Sequence, residues 1–164
     1  MNQHEIDSEL SISGAQDLLT SRQLAHLAYV RGDGTPRVIP VGFFWTGEQV
    51  VVSTATTSPK VRALSGRPSV ALTVDGGDTP GQARSLSIRG RASIEIVDGL
   101  TDEYVAGARR MLDAEAAAAF EQNSRKMYEQ MARISITPHW VRYYDFGAGR
   151  LPRFLQDLAE RSQS

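Results

Sequence analysis

The stretch STATTSPKVRALSGRPSVALTVD, residues 53–75, joins two apolar β-type segments through a run of hydroxyl and basic side chains. Pro59 suits the first turn of a helix, and Ser58 suits the cap position before it. A glycine and a proline further on stop helix propagation, so a short helix is predicted over residues 59–65. The stretch therefore indicates a small helix inserted between two strands of a sheet.

Apolar, β-branched segments on both sides of this helix predict strands. The pair Asp33-Gly34 tolerates the positive φ of a tight turn and joins the first two strands into a hairpin. Gly90 lies inside the longest strand, where a glycine is typical of a bulge or a close backbone approach. The strands are predicted in LAHLAYVRGDGTPRVIPVGFFW, as two, and in EQVVVST, SVALTVD, ARSLSIRGRASIEIVD and ISITPHWVRYYDF.

Helical patterns account for most of the remaining chain. Ser13 is a suitable cap for a helix over residues 14–21. Residues 101–132, rich in Ala, Glu, Met and Leu, predict a helix in two pieces with Thr101 as its cap. An amphipathic tail helix follows the last strand, and residues 1–12 are expected to form a mobile tail. The large apolar residues of the two-piece helix are expected to form one packed stripe: Leu112, Phe120, Met127 and Met131.

The order of these elements predicts a mainly β fold with added helices. About six strands, mostly connected by hairpins, are interrupted by a short helix after strand three and a helical excursion before the last strand, and a short C-terminal helix follows. This order indicates an antiparallel β-barrel. With 164 residues, of which 41% are hydrophobic, the chain is expected to form one domain over residues 1–164.

Composition excludes several functional classes. The absence of cysteine excludes disulfide frameworks and cysteine nucleophiles, and three scattered histidines do not have the spacing of a metal site. A formal net charge of −1 lacks the basic field of a nucleic-acid-binding protein. No apolar run approaches the roughly 18 residues of a membrane span, and the acidic N-terminus is unlike a signal peptide, so the cytoplasm is the default expectation.

Five segments combine features that occur together in one known superfamily: HLAYVRGDGTPRVIPVGFFW, VVVSTATTSPKVRAL, RPSVALTVD, LSIRGRASI and RISITPHWVRYYDFG. They contain a strand with Pro, a strand ending in Ser/Thr, a Lys-x-Arg at the short helix and a Gly in the next long strand. Over roughly residues 14–154 the chain resembles the pyridoxamine 5′-phosphate oxidase-like superfamily, the FMN-binding split β-barrels. Within it, the resemblance is to the actinobacterial flavin/deazaflavin oxidoreductases.

The resemblance implies a split antiparallel β-barrel that forms a homodimer, with two flavin-type cofactors at the subunit interface. The implied activity is an oxidoreductase that uses coenzyme F-420 (a deazaflavin) or FMN to transfer a hydride to a small organic acceptor. Because such a cofactor supplies the redox chemistry, no catalytic side chain is assigned. The alternative is a non-catalytic flavin-, deazaflavin- or haem-binding protein of the same fold.

Three features of the sequence refine these expectations. The arginine- and histidine-bearing C-terminal signature of true pyridoxamine phosphate oxidases is missing, so that particular activity is not expected. Sixteen arginines against two lysines, with frequent Ala and Gly, are typical of GC-rich actinobacterial genomes, which favours F-420 over FMN. The segment VIPVGFFW is apolar on both faces, as expected for a strand between the core and a partner subunit.

A phosphate-binding cluster is predicted at the short helix, because a helix N-terminus supplies backbone N–H groups and a partial positive charge. Two hydroxyl residues end the preceding strand, two more precede the helix, and two basic residues lie in its first turn. The alternative is a solvated turn whose charged side chains only cover the surface. The residues expected to converge on one phosphate are Ser53, Thr54, Thr57, Ser58, Lys60 and Arg62.

The resemblance adds further candidates for the cofactor site. Pro40 and Val41 match family positions whose backbone groups face the edge of the isoalloxazine ring; the alternative is an edge-strand proline with a core neighbour. Trp140 lies where the family places residues near the partner's cofactor. Arg37 and Arg142, with Arg62, are candidates for the acidic polyglutamate tail of a deazaflavin, and solvent exposure is the alternative for each.

Overall fold

The structure is a computed structural model that describes residues 1–162, over which seven antiparallel strands and six helices are formed. The helices are α1 Gln3–Leu10, α2 Ser13–Ser21, α3 Pro59–Gly66, α4 Asp102–Met111, α5 Ala114–Met127 and α6 Arg153–Arg161. The strands are β1 Leu24–Val30, β2 Pro36–Gly42, β3 Phe44–Trp45, β4 Val50–Ala55, β5 Ser69–Gly76, β6 Arg84–Asp98 and β7 Gln130–Asp145. Between residues 1 and 162, no helix combines the length and apolarity needed to cross a membrane.

The strands form one sheet in the order β2-β1-β5-β6-β7-β4-β3, which leaves β2 and β3 at its edges. The predicted fold class is confirmed as a mixed β and α structure of the split-barrel type, with a sheet that is not closed. The structure has seven strands where six were predicted, because the second predicted strand is interrupted at Phe43. Phe44–Trp45 then forms a separate short strand that pairs with β4. The short helix after the β4 strand is confirmed over Pro59–Gly66.

The two longest strands form the centre of the sheet. β6 and β7 pair from Arg84↔Asp145 to Asp98↔Gln130, with one register shift between Arg89 and Gly90. A side chain at Gly90 would place its Cβ 2.7 Å from Cγ2 of Ile136 and 2.7 Å from the carbonyl oxygen of Thr137. The glycine thus provides both the bulge and the close backbone approach that the sequence predicts.

One hydrophobic core contains side chains from the sheet and from helices α1, α2 and α3. Alternate residues of β1 are buried, as the two-residue period of a half-buried strand requires. From α2, Leu18 and Leu19 are completely buried, and α3 contributes Leu64. The short helix that interrupts the sheet is therefore fixed by packing as well as by its Ser58-Pro59 start.

The expectation of a mobile tail over residues 1–12 is wrong. Asn2 and Glu5 form a reciprocal capping box that starts α1, and Ile6 and Leu10 are buried. Glu9 then accepts hydrogen bonds from the backbone N–H of Tyr143 and from two arginine side chains of the C-terminal region. The Asn-x-x-Glu pattern carries a capping signal, and the buried pair Ile6 and Leu10 has the four-residue spacing of one helix face.

The helical excursion forms in two pieces, as predicted, but ends at Met127. β7 begins at Gln130, which places Met131 in a strand, where it is completely buried. The predicted apolar stripe is therefore wrong. Met127 is 73% exposed, and Leu112 and Phe120 are 40% and 37% exposed.

Replacing Gly90 by alanine should lower the free energy of unfolding by about 1–3 kcal/mol, because the added methyl group collides with Ile136 and with backbone. Thermal unfolding should show a fall in Tm of roughly 2–4 °C for each kcal/mol. Gly42→Ala is the matched control, since a Cβ on this strand glycine has nothing within 4 Å. Equal Tm values for the two variants would contradict the close approach.

Candidate functional site

A cavity of about 480 Å³ lies where the two edges of the sheet face each other, with β2 on one side and β3 and β4 on the other, and helix α4 covers it. Its wall is largely apolar, with Val41, Phe43 and Phe44 among the lining residues, and it contains a few polar groups. Cavities of this size and composition are typical of small-molecule and cofactor sites. The structure brings five of the predicted site residues together here: Pro40, Val41, Ser53, Thr54 and Lys60.

Three other residues of the predicted phosphate cluster lie around the start of α3, outside the cavity wall. Thr57 is exposed in the turn before the helix, and Arg62 is exposed on the helix surface. Ser58 occupies the cap position, but its side chain makes no capping hydrogen bond. Its Oγ instead accepts a hydrogen bond of 2.9 Å from Nζ of Lys60. Ser58 therefore orients the lysine whose side chain reaches the cavity.

The remaining predicted residues do not reach this cavity. Arg37 is exposed on β2 and donates only to the carbonyl of Pro36 next to it. Trp140 packs against Arg89, whose guanidinium carbon lies 4.3 Å from the centre of the tryptophan ring. Arg142 forms an ion pair of 3.2 Å with Glu9 of α1. The structure thus places these three side chains on other surfaces of the chain.

Lys60 is half-buried at the cavity and forms no ion pair within residues 1–162. Burial lowers the pKa of its ammonium group below the ordinary value of 10.5. A cation that loses hydration without gaining a carboxylate is stabilised by any anion that enters the cavity. Lys60 is therefore positioned to bind an anionic group of a ligand.

The start of α4 is attached to β4 through two hydroxyl groups. Oγ of Ser53 and Oγ1 of Thr101 lie 2.5 Å apart, and either atom is able to donate this hydrogen bond. Thr101 is buried, and its Oγ1 also accepts from the backbone N–H of Tyr104, which confirms it as the helix cap. Ser53 thus lines the cavity while its hydroxyl group fixes the helix that covers it.

A half-buried ion pair attaches the first turn of α4 to β7. Nε and Nη2 of Arg133 donate to Oε1 of Glu103 at 2.9 and 2.5 Å. The hydrogen bond from Arg133 lowers the pKa of Glu103, against the opposing effect of burial. The only carboxylate among the residues that line the cavity is therefore already neutralised by a partner.

Sequence reasoning missed Arg110, which lines the cavity from α4. Its Nε and Nη2 atoms are buried without a hydrogen-bond partner among residues 1–162. The guanidinium carbon lies 5.3 Å from the ring centre of Phe44, and burial lowers the pKa of Arg110 from its ordinary value. Helical periodicity places residues 103, 107 and 110 on one face of α4, and this spacing is the signal that would have identified it.

The cavity therefore contains two cations without carboxylate partners, Lys60 and Arg110, beside an apolar wall. Arg109, the neighbour of Arg110, points away and pairs with Glu121 of α5 at 3.0 Å. Such an arrangement binds organic molecules that carry acidic groups.

A sequence model described as pyridoxamine 5′-phosphate oxidase matches residues 14–145, which is most of the chain and contains the sheet and the cavity. The chain belongs to the pyridoxamine 5′-phosphate oxidase family. The resemblance predicted from its sequence segments is confirmed at the level of family and fold. No curated protein matches the chain in sequence.

Solved structures of the same fold include proteins with different described roles. An F420 reductase is 28% identical, with a TM-score of 0.55, over 76% of this chain and 94% of its own. A conserved hypothetical protein from Mycobacterium tuberculosis is 21% identical, with a TM-score of 0.62, over 93% and 89%. A haem storage protein from Vibrio cholerae is 18% identical, with a TM-score of 0.55, over 76% and 87%. The last two likenesses concern the fold alone.

Replacing Glu103 by glutamine should lower the free energy of unfolding at pH 7 by about 1–2 kcal/mol, because the amide oxygen still accepts from Arg133 but the negative charge that strengthens these hydrogen bonds is lost. The folded pKa of Glu103 lies below its ordinary 4.5, so this stabilisation is complete above that pH. It is lost as the pH falls through the lower folded value. The difference in Tm between wild type and variant should therefore shrink on acidification.

Thermal unfolding of both proteins between neutral pH and about pH 3 measures this effect. Glu129→Gln is the control, since Glu129 is an exposed carboxylate outside the cavity. A Tm difference for Glu103→Gln that stays constant as the pH falls would show that the ion pair does not stabilise the fold.

Proposed function

We propose that this protein is an oxidoreductase that binds coenzyme F-420 or FMN in the cavity beneath α4 and transfers a hydride to a small organic acceptor. The observation that carries the proposal is Lys60, a half-buried ammonium group with no carboxylate partner, at the cavity end next to the N-terminus of α3. Both cofactors carry a phosphate group, and this position supplies the charge that a phosphate requires.

The residues around Lys60 suit a phosphate group. Thr54 lines the same end of the cavity and offers a hydroxyl group, and α3 directs the partial positive charge of its N-terminus toward this region. Ser58 holds the lysine through its Oγ. Together these groups bind and orient one dianion, while Thr57 and Arg62 remain available at the rim.

The apolar part of the cavity suits the ring system of a flavin or deazaflavin. Val41, Phe43 and Phe44 exclude water from this region, and Pro40 presents edge-strand backbone next to it. When bound, the cofactor supplies the hydride chemistry, whereas the chain binds, orients and shields it. No general base is assigned to the chain.

The similarity to an F420 reductase supports a deazaflavin as the cofactor, in agreement with the composition of the sequence. The residues that line the cavity include no histidine or cysteine to hold a haem iron, so a haem-binding role would depend on Tyr104 or Met111. The non-catalytic alternative of a stored flavin or deazaflavin differs only in turnover, which an activity assay decides.

The exposed edge strand β2 supports a homodimer as the functional form. Val38 is 66% exposed, and most other residues of this apolar strand are exposed in the single chain. An uncovered apolar strand at a sheet edge is typical of an interaction surface. Because Pro40 and Val41 belong both to this strand and to the cavity, a second subunit on β2 would place the cofactor at the interface.

Replacing Lys60 by alanine should weaken cofactor binding about tenfold to a hundredfold, or roughly 1.4–2.7 kcal/mol. Titration of the apo protein with FMN and with F-420, followed by quenching of Trp45 and Trp140 fluorescence, measures the affinities. Lys126→Ala is the matched control, because the only other lysine is exposed on α5 and lies outside the cavity. Equal affinities in wild type and Lys60→Ala would contradict the phosphate site, and binding of neither cofactor to wild type would overturn the proposed function.

Replacing Val38 by aspartate should convert the dimer into a monomer, because the change buries an unpaired charge in the proposed interface. Sedimentation at micromolar concentration distinguishes a dimer from the 18.0 kDa chain. Met127→Asp, at a 73% exposed apolar side chain on α5, is the control and should leave the dimer intact. A wild-type protein that sediments only as a folded monomer would eliminate the interface.

A further inference from the structure

Arg110 is the charged side chain of the cavity that phosphate binding leaves unused. It projects from α4, and its Nε and Nη2 atoms are buried without a hydrogen-bond partner in the part of the chain that the structure describes. A guanidinium group stays protonated at any physiological pH, so it cannot escape this environment by losing its charge. An uncompensated charge of this kind destabilises the protein until a counter-ion arrives.

Neighbouring carboxylates do not neutralise Arg110. Glu103, two turns earlier on α4, has its Oε1 occupied by both Nε and Nη2 of Arg133. Glu121 is engaged outside the cavity by Arg109 and by Arg125. The ring of Phe44 attracts the cation, with a centroid distance of 5.3 Å, but it leaves the N–H donors unsatisfied.

Arg110 and Lys60 are placed toward different ends of strand β4. Phe44, which faces Arg110, pairs with Val51 on β4. Thr54 is three residues further along this strand, a distance of about 10 Å, and Lys60 follows beyond the strand's end. This placement favours one acidic group for each cation over a single compact anion that contacts both.

The unsatisfied atoms also indicate the shape of the second acid. Nε and Nη2 form one edge of the guanidinium fork, the same edge that Arg133 directs at Glu103. Two parallel donors match the planar geometry of a carboxylate. Phe44 lies against Arg110, and Met111 and Phe120 line the same cavity, so its wall suits an aromatic or conjugated body.

We propose that Arg110 binds the carboxylate of the hydride acceptor, which makes a small aromatic or conjugated carboxylic acid the substrate class. The proposal rests on the proposed function, because the cofactor occupies the Lys60 end and the acid occupies the Arg110 end.

Binding of trans-cinnamate and of its uncharged amide, cinnamamide, to the cofactor-loaded protein tests this assignment. Wild type should bind the acid at least tenfold more tightly than the amide, as measured by calorimetric titration. Arg110→Gln should abolish this preference, and Arg110→Lys should keep part of it, because the charge remains while the fork is lost. Arg109→Gln is the matched control on the same helix and should keep the full preference, since Arg109 points away from the cavity.

The outcomes separate this proposal from the proposed function. If the cofactor binds and wild type shows no preference for the acid, the assignment of Arg110 is overturned while the proposed function stands. If Arg110→Gln weakens cofactor binding tenfold or more, Arg110 belongs to the cofactor site and the acceptor assignment is also overturned. If wild type binds neither FMN nor F-420, the proposed function fails first.

A stability measurement excludes a purely structural role for Arg110. Arg110→Met replaces an uncompensated charge by an apolar side chain of similar length, so the ligand-free variant should have a higher Tm than wild type. A gain of roughly 2–4 °C corresponds to about 1 kcal/mol in a chain of this size. A clear fall in Tm would show that the guanidinium stabilises the ligand-free fold, which contradicts the uncompensated charge on which the assignment rests.

Discussion

The pairing of β6 with β7 is the constraint on which the rest of the structure depends. These strands hold each other over their full lengths, and each has a different second neighbour, β5 for one and β4 for the other. The bulge at Gly90 lets the pair approach closely at a point where any side chain would collide. The β4 end of the sheet, which forms one wall of the cavity, is therefore attached to the β5 end through this pair alone in the hydrogen-bonded order of strands.

The cavity exists because polar contacts hold α4 above the sheet. A helix packed on a sheet usually buries one face, yet no residue of α4 is buried. Its attachment to the sheet consists of the hydroxyl pair of Ser53 and Thr101 and the ion pair of Glu103 and Arg133, both at its first turn. Because Arg109 in the last turn pairs with α5 and not with the sheet, space is left beneath the second half of α4, where Arg110 and Met111 face the cavity.

Local signals made most of the fold predictable. The Asp-Gly hairpin, the Ser58-Pro59 helix start, the Thr101 cap and the Gly90 bulge each follow from chemistry within a few residues. The wrong predictions, for the end of α5 and for the N-terminal segment, concern features that local signals do not determine. The length of α5 and the start of β7 depend on pairing with β6, far away in sequence, and α1 is ordered by partners near residue 143. Among the residues that line the cavity, those on β2, β4 and α3 were predictable from the order of the sequence segments. Arg110 was not, because its prediction requires knowledge of which face of α4 is turned toward the sheet.

The attachment of α1 through Glu9 has a consequence for the order of events during synthesis. Glu9 is synthesised before its arginine partners, which follow 133 and 141 residues later in the chain. Local capping starts the helix at once, yet its buried face and its carboxylate have no docking surface until β7 has been made. Contacts of such separation form late because the intervening chain must first be ordered. Helix α1 is therefore expected to reach its final place long after its own residues have been made.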